Sequence, residues 1–556
     1  MKNRVVTVAE MRALEAAADI AGVTYAHMME TAGAAVAARV IDLLRGREDS
    51  RVLVLVGPGN NGGDGLVAGR IIAEKTGANV AFALARPRDP EQDTPFAKVK
   101  AAKLPIIQGE DGEAVRALTA GADVIIDALL GTGAALPLRG VIKTMLDQVR
   151  LTLEARQITA HKSAPYTTPT IPAPPDLDQD TPLVIAVDLP SGMDADTGAI
   201  DPSALRADET ITFEAAKQGH FAFPGAASVG TLHIAPLNLP ESLPEWEPLQ
   251  IGLVDAPLVK ALLPVRPLDA NKGTFGKALI IGGSENYIGA PGLAAMGAYR
   301  VGAGLVTVAA PDTAIPALAA QLLEVTWLPL PDGKAPDGKS ISDAGASLAY
   351  TSLPDYSAAL IGPGMGRTFN AYGLLETIFH HAGGNLPPLV IDADGLNMLA
   401  TMEAWWSFLP RRTILTPHPG EMARLTKIKG DEHQSGAQVV QSMRLSLARE
   451  KAAEWGCVIV LKGAFTIIAE PEGRVMILPF ADPSLARAGT GDVLAGAIVG
   501  LLAQGLDPFD AAVAGAYLHG YAGALAGQYL RSRASVLAGE VANFLPAALS
   551  AVENAG

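Results

Sequence analysis

The first half of the chain takes its fold from one stretch of sequence, Arg51-Val52-Leu53-Val54-Leu55-Val56-Gly57-Pro58-Gly59-Asn60-Asn61-Gly62-Gly63-Asp64-Gly65. Residues 51–56 are a run of Val and Leu after a single Arg, which is typical of a parallel strand buried on both faces. The glycines of residues 57–65 predict a loop, and the residues that follow predict a helix over 66–76. This order predicts a doubly wound α/β sheet, in which ligands bind at the carboxyl ends of the strands.

The flanking segments extend the same pattern. Upstream, Thr7 and Glu10 form the signature of a capping box, and residues 25–44 carry an apolar stripe at helical spacing, so two helices are predicted before the strand. Downstream, strand-like runs recur at residues 80–83, 123–130 and 183–189. The first half of the chain is therefore expected to form a Rossmann-like three-layer sandwich.

The length of 556 residues exceeds what one core usually spans, and 49% of the residues are hydrophobic, which is enough for two. A proline-dense segment over residues 236–267 predicts the boundary, with domains at 1–240 and 241–556. Within the first domain, a Pro- and Thr-rich insertion near residues 153–180 predicts an exposed loop or a partly disordered segment. Beyond the boundary, strand-like runs resume at residues 277–281, 304–309, 358–361, 389–391, 413–415 and 458–461.

Composition limits the partners and the compartment. A net charge of −15 argues against a nucleic-acid partner, because neutralising phosphates needs clustered Lys and Arg. The longest uncharged apolar stretch, residues 493–503, is too short to span a bilayer, so no membrane partner is expected. The single cysteine, Cys457, is predicted to be a buried core thiol, and polar residues near the N-terminus interrupt any signal-peptide pattern. We expect a cytoplasmic homo-oligomer.

A first site is predicted where four fragments of the first domain converge. Carboxylates at strand ends beside glycine-rich loops suit proton transfer on a phosphate-bearing substrate. Alternatively, these residues have only structural roles: the glycines form tight turns, and Asp127 and Asp188 cap helices. The spacing of glycines that marks hydride-transferring Rossmann enzymes is absent, and no His/Cys cluster has zinc spacing. The four fragments are residues 60–65, 127–133, 188–192 and 207–213 with Lys217.

A second site is predicted around Gly489-Thr490-Gly491-Asp492, a glycine-rich turn that begins an apolar helix. The amides of such a turn and the positive helix end favour an anion, and Asp492 is placed to take a proton from a substrate hydroxyl. This is the ribokinase-type arrangement of a base beside an oxyanion hole. Further loops with small or charged residues accompany it, at residues 271–276, 282–284, 287–292, 362–366, 392–397, 416–421 and 461–466.

The motifs of residues 60–65, 127–133 and 187–194 resemble those of the NAD(P)H-hydrate epimerase domain, over residues 7–235. The resemblance implies that Asn61, Asp127 and Ser191 hold a potassium ion. It implies that Asp188 is catalytic and contacts the hydrated nicotinamide ring, whose hydroxyl-bearing carbon is epimerised. The insertion near residues 153–180 departs from the compact form of the family. The residues implied to bind the nucleotide substrate are Asn60, Asn61, Gly62, Gly63, Asp64, Gly131, Thr132, Gly133, Ala134, Ala135, Leu136, Pro137 and Asp188.

The loops of the second site resemble ADP-dependent NAD(P)H-hydrate dehydratase, a ribokinase-like α/β enzyme, over residues 265–550. The resemblance implies that Asp492 deprotonates the ring hydroxyl, which attacks the terminal phosphate of ADP. Loss of phosphate then restores the dihydronicotinamide, and magnesium accompanies ADP. The substrate-facing residues implied are Ala290, Gly364, His418 and Asp492. The ADP-binding residues implied are Lys462, Gly463, Ala464, Phe465, Thr466 and Gly491.

Several alternatives stay open at the level of sequence. The second domain could be a small-molecule kinase of the same fold, and the first a non-catalytic binding module. His418 could be a buried, hydrogen-bonded residue between two prolines. Asp394 and Asn397 could cap a helix, and Glu421 could bind magnesium phosphate or only begin a helix.

Overall fold

The computed structural model describes residues 3–47, 49–162, 181–335, 338–380 and 386–555. The described chain forms two compact units, Arg4–Leu249 and Gln250–Gly556 with Met1–Asn3. The predicted division after residue 240 stays a prediction. In the described parts of the chain, no helix is long and apolar enough to cross a membrane.

The first unit alternates strands and α-helices from its second strand to its sixth. Its strands are β1 Val5–Val6, β2 Arg51–Val56, β3 Asn79–Leu84, β4 Ile106–Gln108, β5 Val124–Ala128, β6 Leu183–Val187, β7 Glu209–Phe213, β8 Ala216–Lys217 and β9 Thr231–Ala235. Its helices are α1 Val8–Ile20, α2 Tyr25–Leu44, α3 Asn60–Lys75, α4 Thr94–Ala101, α5 Gly112–Gly121 and α6 Gly140–Lys162.

Seven of these strands form one parallel sheet, in the order β4-β3-β2-β5-β6-β7-β9. The chain order reverses between β2 and β5, and this switch point is where open α/β sheets bind ligands. The predicted doubly wound fold is therefore confirmed. The two predicted N-terminal helices are confirmed as α1, with its capping box at Thr7, and α2.

The predicted start of helix α3 was wrong. The helix begins at Asn60 rather than at residue 66, so the Asn- and Gly-rich segment forms its first turns. Glycine is a poor helix former, but here close packing against two strand ends outweighs its low helix propensity. A Cβ atom on Gly62 would lie 2.1 Å from the carbonyl oxygen of Gly57, and one on Gly65 would lie 2.5 Å from the Cβ of Ala128. The glycines thus let the helix start lie directly on the ends of two strands.

The predicted insertion begins as a helix rather than as a loop. Its first residues, 153–162, continue helix α6, and the remainder, 163–180, lies outside the described residues.

The second unit repeats the alternation on a larger scale. Its strands are β10 Ile251–Leu253, β11 Lys277–Ile281, β12 Leu305–Pro311, β13 Thr326–Leu330, β14 Asp332–Ala335, β15 Gly338–Ile341, β16 Ala358–Ile361, β17 Leu389–Ile391, β18 Thr413–Leu415, β19 Val458–Leu461, β20 Ile467–Ala469 and β21 Val475–Ile477. Its helices are α7 Ala256–Leu262, α8 Gly289–Arg300, α9 Ile315–Ala319, α10 Asp343–Ser352, α11 Phe369–His380, α12 Asp394–Leu399, α13 Pro419–Leu425, α14 Gly436–Ser442, α15 Arg444–Trp455, α16 Thr490–Ala503, α17 Pro508–Tyr529 and α18 Ala538–Glu553.

Ten strands of this unit form one sheet, in the order β10-β21-β20-β19-β18-β17-β16-β11-β12-β13. Strand β20 runs antiparallel to both of its neighbours. The proline-dense segment is not simply a linker, because it contributes edge strand β10 and helix α7 to this unit. With helices between its parallel strands, the unit has the ribokinase-like α/β fold that the sequence predicted.

Helices α8 and α16 pack against each other in parallel. A Cβ atom on Gly489 would lie 2.8 Å from Leu293, and one on Gly496 would lie 2.0 Å from the carbonyl oxygen of Ala294. Only glycine allows the two backbones to approach this closely. As a result, the amino ends of both helices lie at the same side of the sheet.

Candidate active sites

The four fragments predicted for the first site lie together. Strands β2, β5, β6 and β7 are consecutive neighbours in a parallel sheet, so their carboxyl ends share one edge. The ends of β2, β5 and β6 lead into three of the predicted fragments, and β7 itself forms most of the fourth, with Lys217 after it. The site therefore lies at the switch point between β2 and β5, beside the amino end of helix α3.

Asp127 and Ser191 form a buried polar pair at this edge. Both oxygens of the Asp127 carboxylate accept from Ser191: the hydroxyl donates at 2.6 Å and the backbone N–H at 2.9 Å. The same hydroxyl accepts the N–H of Leu130 at 2.9 Å, which fixes the loop before Gly131. Asp127 thus does not cap a helix.

Asp188 lies in an ion pair with Lys217. The Lys217 Nζ donates to Asp188 Oδ1 at 2.6 Å, and the Thr212 hydroxyl donates to the same oxygen at 2.9 Å. Both charged residues are buried. Burial alone raises the pKa of Asp188, but the charge and hydrogen bond of Lys217 outweigh it and lower that pKa. Asp188 is therefore an anion held against a cation, and not a helix cap.

The loop after β5 brings Asn61 to Asp188. A Cβ atom on Gly131 would lie 3.3 Å from Asn61 Oδ1 and 3.4 Å from Asp188 Oδ2, so both side chains border this glycine. The Asn61 Nδ2 is buried and has no hydrogen-bond partner among the described residues. An unpaired buried amide is costly, so this donor is available to a ligand. Asn60, by contrast, is exposed at the helix start.

Two further carboxyl groups act on this site electrostatically. Burial, followed by the charges of Asp188 and Glu15, raises the pKa of Asp64 well above its usual range. Burial also raises the pKa of Glu15, on helix α1. Asp64 was predicted to be a binding residue, whereas Glu15 was missed because no motif marks it.

His220 is a second residue that the sequence prediction missed. Its Nδ1 accepts the backbone N–H of Lys217 at 3.0 Å, and its Nε2 lies 3.0 Å from the carbonyl oxygen of Asp188. Burial, followed by the Lys217 charge, lowers the pKa of His220 to about 4. The only signal in the sequence is its position three residues after Lys217.

The residues predicted to hold potassium fit an alkali cation in their chemistry. The side chains of Asn61, Asp127 and Ser191 all offer oxygen, the ligand that hard cations prefer. Among the described residues, Asp127 has no ion pair with Lys, Arg or His. Burial raises its pKa, and the bonds from Ser191 oppose this rise only in part. This carboxylate is buried and has neutral hydrogen-bond partners, so a cation bound beside it would neutralise its charge.

The second site lies at the corresponding edge of the larger sheet. Strands β11, β16, β17, β18 and β19 are neighbours and parallel, so the loops that follow them meet there. These loops hold the predicted Gly364, His418 and Lys462. The amino ends of α8 and α16 bring Ala290 and Asp492 to the same side.

Asp492 lies in the first turn of helix α16, as predicted. The turn begins with Gly489 at a φ of 90°, which favours glycine, and no side chain caps the helix. The N–H groups of an uncapped first turn attract an anion. Burial, followed by the charge of Asp392, raises the pKa of Asp492 to about 7. Such a carboxyl group can accept a proton near neutral pH.

The Lys462 ammonium group lies close to two carboxylates. Its Nζ donates to Asp392 Oδ1 at 2.7 Å and lies 3.8 Å from Glu421 Oε2. A Cβ atom on Gly491 would lie 3.5 Å from the same Nζ, so the ammonium group borders the turn of α16. Burial lowers the pKa of Lys462, but Asp392 and Glu421 outweigh it and raise that pKa. Lys462 therefore remains a cation beside the predicted phosphate position.

His418 is not the buried residue of the alternative interpretation. It caps helix α13, with Nδ1 accepting the N–H of Gly420 at 3.0 Å, and its side chain is half exposed. Burial, followed by the Lys462 charge, lowers the pKa of His418 to about 4, so the ring is neutral. Glu421 completes a capping box by accepting the His418 N–H at 2.8 Å. Glu421 thus begins a helix and also faces Lys462.

Asp394 and Asn397 do not cap helix α12. Asp394 Oδ2 accepts the N–H of Gly366 at 3.0 Å, which ties the loop after β17 to the loop after β16. Asn397 Oδ1 accepts from Arg424 at 2.9 Å. In the loop after β16, a Cβ atom on Gly364 would lie 3.0 Å from the Cβ of Ala290, so these two predicted substrate residues are adjacent.

The predicted ADP loop, residues 462–466, is held by Arg444, which the sequence prediction missed. The Arg444 guanidinium donates to the carbonyl oxygens of Leu461, at 3.0 Å, and of Ala464. Within the loop, the Thr466 hydroxyl donates to Gly463 at 2.9 Å. Burial lowers the pKa of Arg444 to about 10. No local pattern distinguishes Arg444 from Arg449, the exposed arginine of the same helix.

Both units match known protein families. The sequence model described as YjeF-related protein N-terminus matches residues 25–219. The one described as NAD(P)H-hydrate dehydratase matches residues 278–546.

Relatives with both domains align along most of the chain. The Bifunctional NAD(P)H-hydrate repair enzyme Nnr of Moorella thermoacetica is 35% identical over 505 residues, which covers 89% of this chain and 87% of the relative. The enzyme of the same name from Salinibacter ruber is 36% identical over 524 residues, covering 89% and 86%. A crystal structure of ADP/ATP-dependent NAD(P)H-hydrate dehydratase from Bacillus subtilis, co-crystallized with ATP/Mg²⁺, is 32% identical, covers 54% of this chain and 98% of its own, and has a TM-score of 0.45. On the strength of the two-domain relatives, the chain belongs to the family of bifunctional NAD(P)H-hydrate repair enzymes. The resemblance found in the motifs is thereby confirmed.

Proposed function

We propose that this protein repairs hydrated NADH and NADPH at two separate sites. The first unit interconverts the R and S epimers of the hydrate. The second unit dehydrates the S form with ADP, giving NAD(P)H, AMP and phosphate. Membership of the bifunctional family supports this function. The observation that carries the chemistry is Asp492, a carboxyl group with a pKa of about 7 in the first turn of helix α16 beside Lys462.

In the second site, Asp492 takes the proton of the ring hydroxyl, and the resulting oxygen attacks the terminal phosphate of ADP. The bond between that phosphate and AMP breaks. Phosphate then leaves the ring carbon and a proton leaves the neighbouring ring carbon, which restores the double bond of the dihydronicotinamide. The helix start at Gly489–Gly491 and the Lys462 ammonium bind the phosphate charge. Ala290, Gly364 and His418 face the hydrated dinucleotide, and residues 462–466 bind ADP.

In the first site, Asp188 and Lys217 transfer the proton when the ring hydroxyl leaves and returns. An ammonium group 2.6 Å from a carboxylate can donate a proton to a departing hydroxyl, and the carboxylate stabilises the charge that remains. The amide of Asn61, whose Nδ2 has no hydrogen-bond partner in the described part of the chain, binds the substrate. The remaining nucleotide contacts come from residues 60–64 and 131–137.

Two cations are proposed to assist. Asn61, Asp127 and Ser191 would hold potassium, which supplies fixed positive charge at the first site. At the second site, magnesium would arrive with ADP and neutralise phosphate charge, with Glu421 as its protein ligand. Across the described residues, no group of three or more His, Cys, Asp or Glu side chains could hold a metal. Phosphate and water ligands therefore complete the magnesium shell, as is usual for this ion.

We also propose that the protein acts in the cytoplasm as a homo-oligomer. The buried thiol of Cys457, whose pKa burial raises, is consistent with a reducing compartment. Light scattering during size-exclusion chromatography would measure the stoichiometry.

One assay tests the two-site function. A mixture of R and S hydrated NADPH is incubated with the protein, ADP and magnesium, and dihydronicotinamide absorbance, AMP and phosphate are measured. Both epimers are expected to be consumed, with one AMP and one phosphate released per NADPH. A small-molecule kinase would leave a stable phosphate ester. A non-catalytic first unit would leave the R form unconsumed. Either result would contradict the proposal.

A further inference from the structure

His220 connects the backbone on both sides of the Asp188–Lys217 ion pair. It lies in the short 3-10 helix Gln218–Phe221 and is 1% exposed. Its Nδ1 accepts the N–H of Lys217, so the proton of the neutral ring is on Nε2. The Nε2–H group then donates to the carbonyl oxygen of Asp188 at 3.0 Å. Both ring nitrogens are therefore used by the backbone.

Asp188 needs this support because of its backbone conformation. Its φ is 65°, in the left-handed region that residues other than glycine adopt only when the surrounding structure holds them. The N–H of Asp188 donates to the carbonyl oxygen of Ile211 at 2.8 Å, so one side of the residue is fixed by strand β7. The other side, its carbonyl group, is fixed by His220. The carboxylate leaves this backbone towards Lys217.

We propose that His220 is a positioning residue for epimerisation: its Nε2–H bond to the Asp188 carbonyl holds the left-handed backbone that directs the Asp188 carboxylate at Lys217. This inference rests on the proposed epimerase function of the first unit. The ring acts in its neutral form, since burial and the Lys217 charge hold its pKa at about 4. Lys217 and Asp188 are the charged groups that act on the ring, and Glu15 and Asp64 in turn act on that pair.

Three substitutions separate the two bonds of the ring. In His220→Gln, the amide nitrogen reaches the position of Nε2 and still donates to Asp188. In His220→Asn, the shorter amide reaches only the position of Nδ1 and keeps the bond from Lys217. His220→Leu removes both bonds and keeps the residue apolar. His233→Gln is the matched control, because His233 lies in the same unit on edge strand β9, where its Nε2 lies 3.1 Å from Glu209 Oε2.

The epimerisation rate should discriminate among these variants. We expect kcat to fall by about ten- to hundredfold in the Asn and Leu variants, the cost of a misplaced catalytic group, with KM for hydrated NADPH little changed. The Gln variant should recover most of the loss, and the control should match the wild type. In the Asn and Leu variants, the acidic limb of the pH profile should move to higher pH, because the carboxylate loses part of its contact with Lys217. ADP-dependent dehydration, at the other site of the same chain, should not change.

The tautomer of His220 can be determined without an activity assay. Spectra of protein labelled with ¹⁵N-histidine should show the His220 proton on Nε2. A proton on Nδ1 would overturn the inference. Wild-type-like kcat in folded His220→Asn, or equal losses in the Gln and Asn variants, would overturn it as well. If the Leu variant does not fold, the comparison of Gln with Asn still decides. If the wild type itself fails to interconvert the epimers, the proposed function falls together with this inference, which is a different result from unaffected variants.

Discussion

Lys462 Nζ lies 2.7 Å from Asp392 Oδ1 at the carboxyl edge of the larger sheet. This ion pair compensates the Asp392 charge and holds the ammonium group beside the turn at Gly491. Asp492, on that turn, has no such partner among the described ion pairs. The two aspartates therefore take different roles. Asp392 orients a cation, and Asp492 remains free to exchange a proton.

Asp492→Asn is expected to abolish dehydration, because an amide cannot accept the proton of the ring hydroxyl. A loss of roughly a hundredfold or more is typical for removal of a general base. The measurement is ADP-dependent turnover of the S form. Asp510→Asn is the matched control, since Asp510 occupies the first turn of the neighbouring helix α17. Epimerisation should persist in both variants, and near-normal dehydration by Asp492→Asn would show that another group is the base.

The pH dependence of dehydration should reflect the same carboxyl group. Burial and the Asp392 charge raise the pKa of Asp492 to about 7, and the base acts only when deprotonated. Below that pH, kcat/KM should fall about tenfold per pH unit, and above it the rate should level off. An unperturbed aspartate would give a flat profile between about pH 5 and 8.

Glu421 needs a control in that experiment, because burial, followed by the Asp392 charge, raises its pKa as well. Glu421→Gln keeps the acceptor of the capping box but removes the titrating group and the proposed carboxylate ligand of magnesium. The overall rate should therefore fall, and the shape of the pH profile is the readout. The acidic limb should persist in this variant if Asp492 is the base. Loss of the limb would assign it to Glu421 instead.

Substitution of Asp188 or Asp127 by asparagine should slow epimerisation and leave dehydration unchanged. The Asp188→Asn variant would have no charge to pair with Lys217, and Asp127→Asn would lose one of the two acceptors for Ser191. With a mixture of epimers, consumption should stop when the S form is exhausted, and the epimerisation rate should drop by about a hundredfold. Asp123→Asn, at the opposite end of strand β5, is the control. Equal loss of both activities in a folded variant would argue for one shared site.

The sequence predicted the parallel strands well because a strand buried on both faces is a continuous apolar run. Strands β2, β11, β16, β17, β18 and β19 have the predicted bounds. The short antiparallel strand β20 and strand β21 were missed, since their three-residue runs carry no distinctive period. The start of α3 was predicted too late. Its glycines pack against strand ends, including one far away in the sequence, and the local sequence does not reveal such packing.

In the candidate sites, too, local sequence motifs predict some residues and miss others. Asp127, Asp188, Lys462 and Asp492 lie in or beside local glycine-rich or strand-end motifs, so the sequence alone could propose them. His220 bonds to a residue 32 positions earlier, and Arg444 to carbonyl oxygens 17 and 20 positions later. Such residues act through tertiary contacts that a single sequence does not display.

The two units should fold and function as separate fragments. We place the cut after Leu249, because Leu243 and Leu249 pack in the core of the first unit, whereas Val254 and Val259 pack in the core of the second. Each fragment, 1–249 and 250–556, is expected to melt in one cooperative transition and to keep one activity. ADP with magnesium should raise the melting temperature of the second fragment only, since a ligand that binds the native state stabilises it. Asp492→Asn in the second fragment is the control, because it should lose turnover but keep a measurable thermal shift. A second fragment that is insoluble alone and rescued by the first would instead reveal an obligate interface and contradict the division.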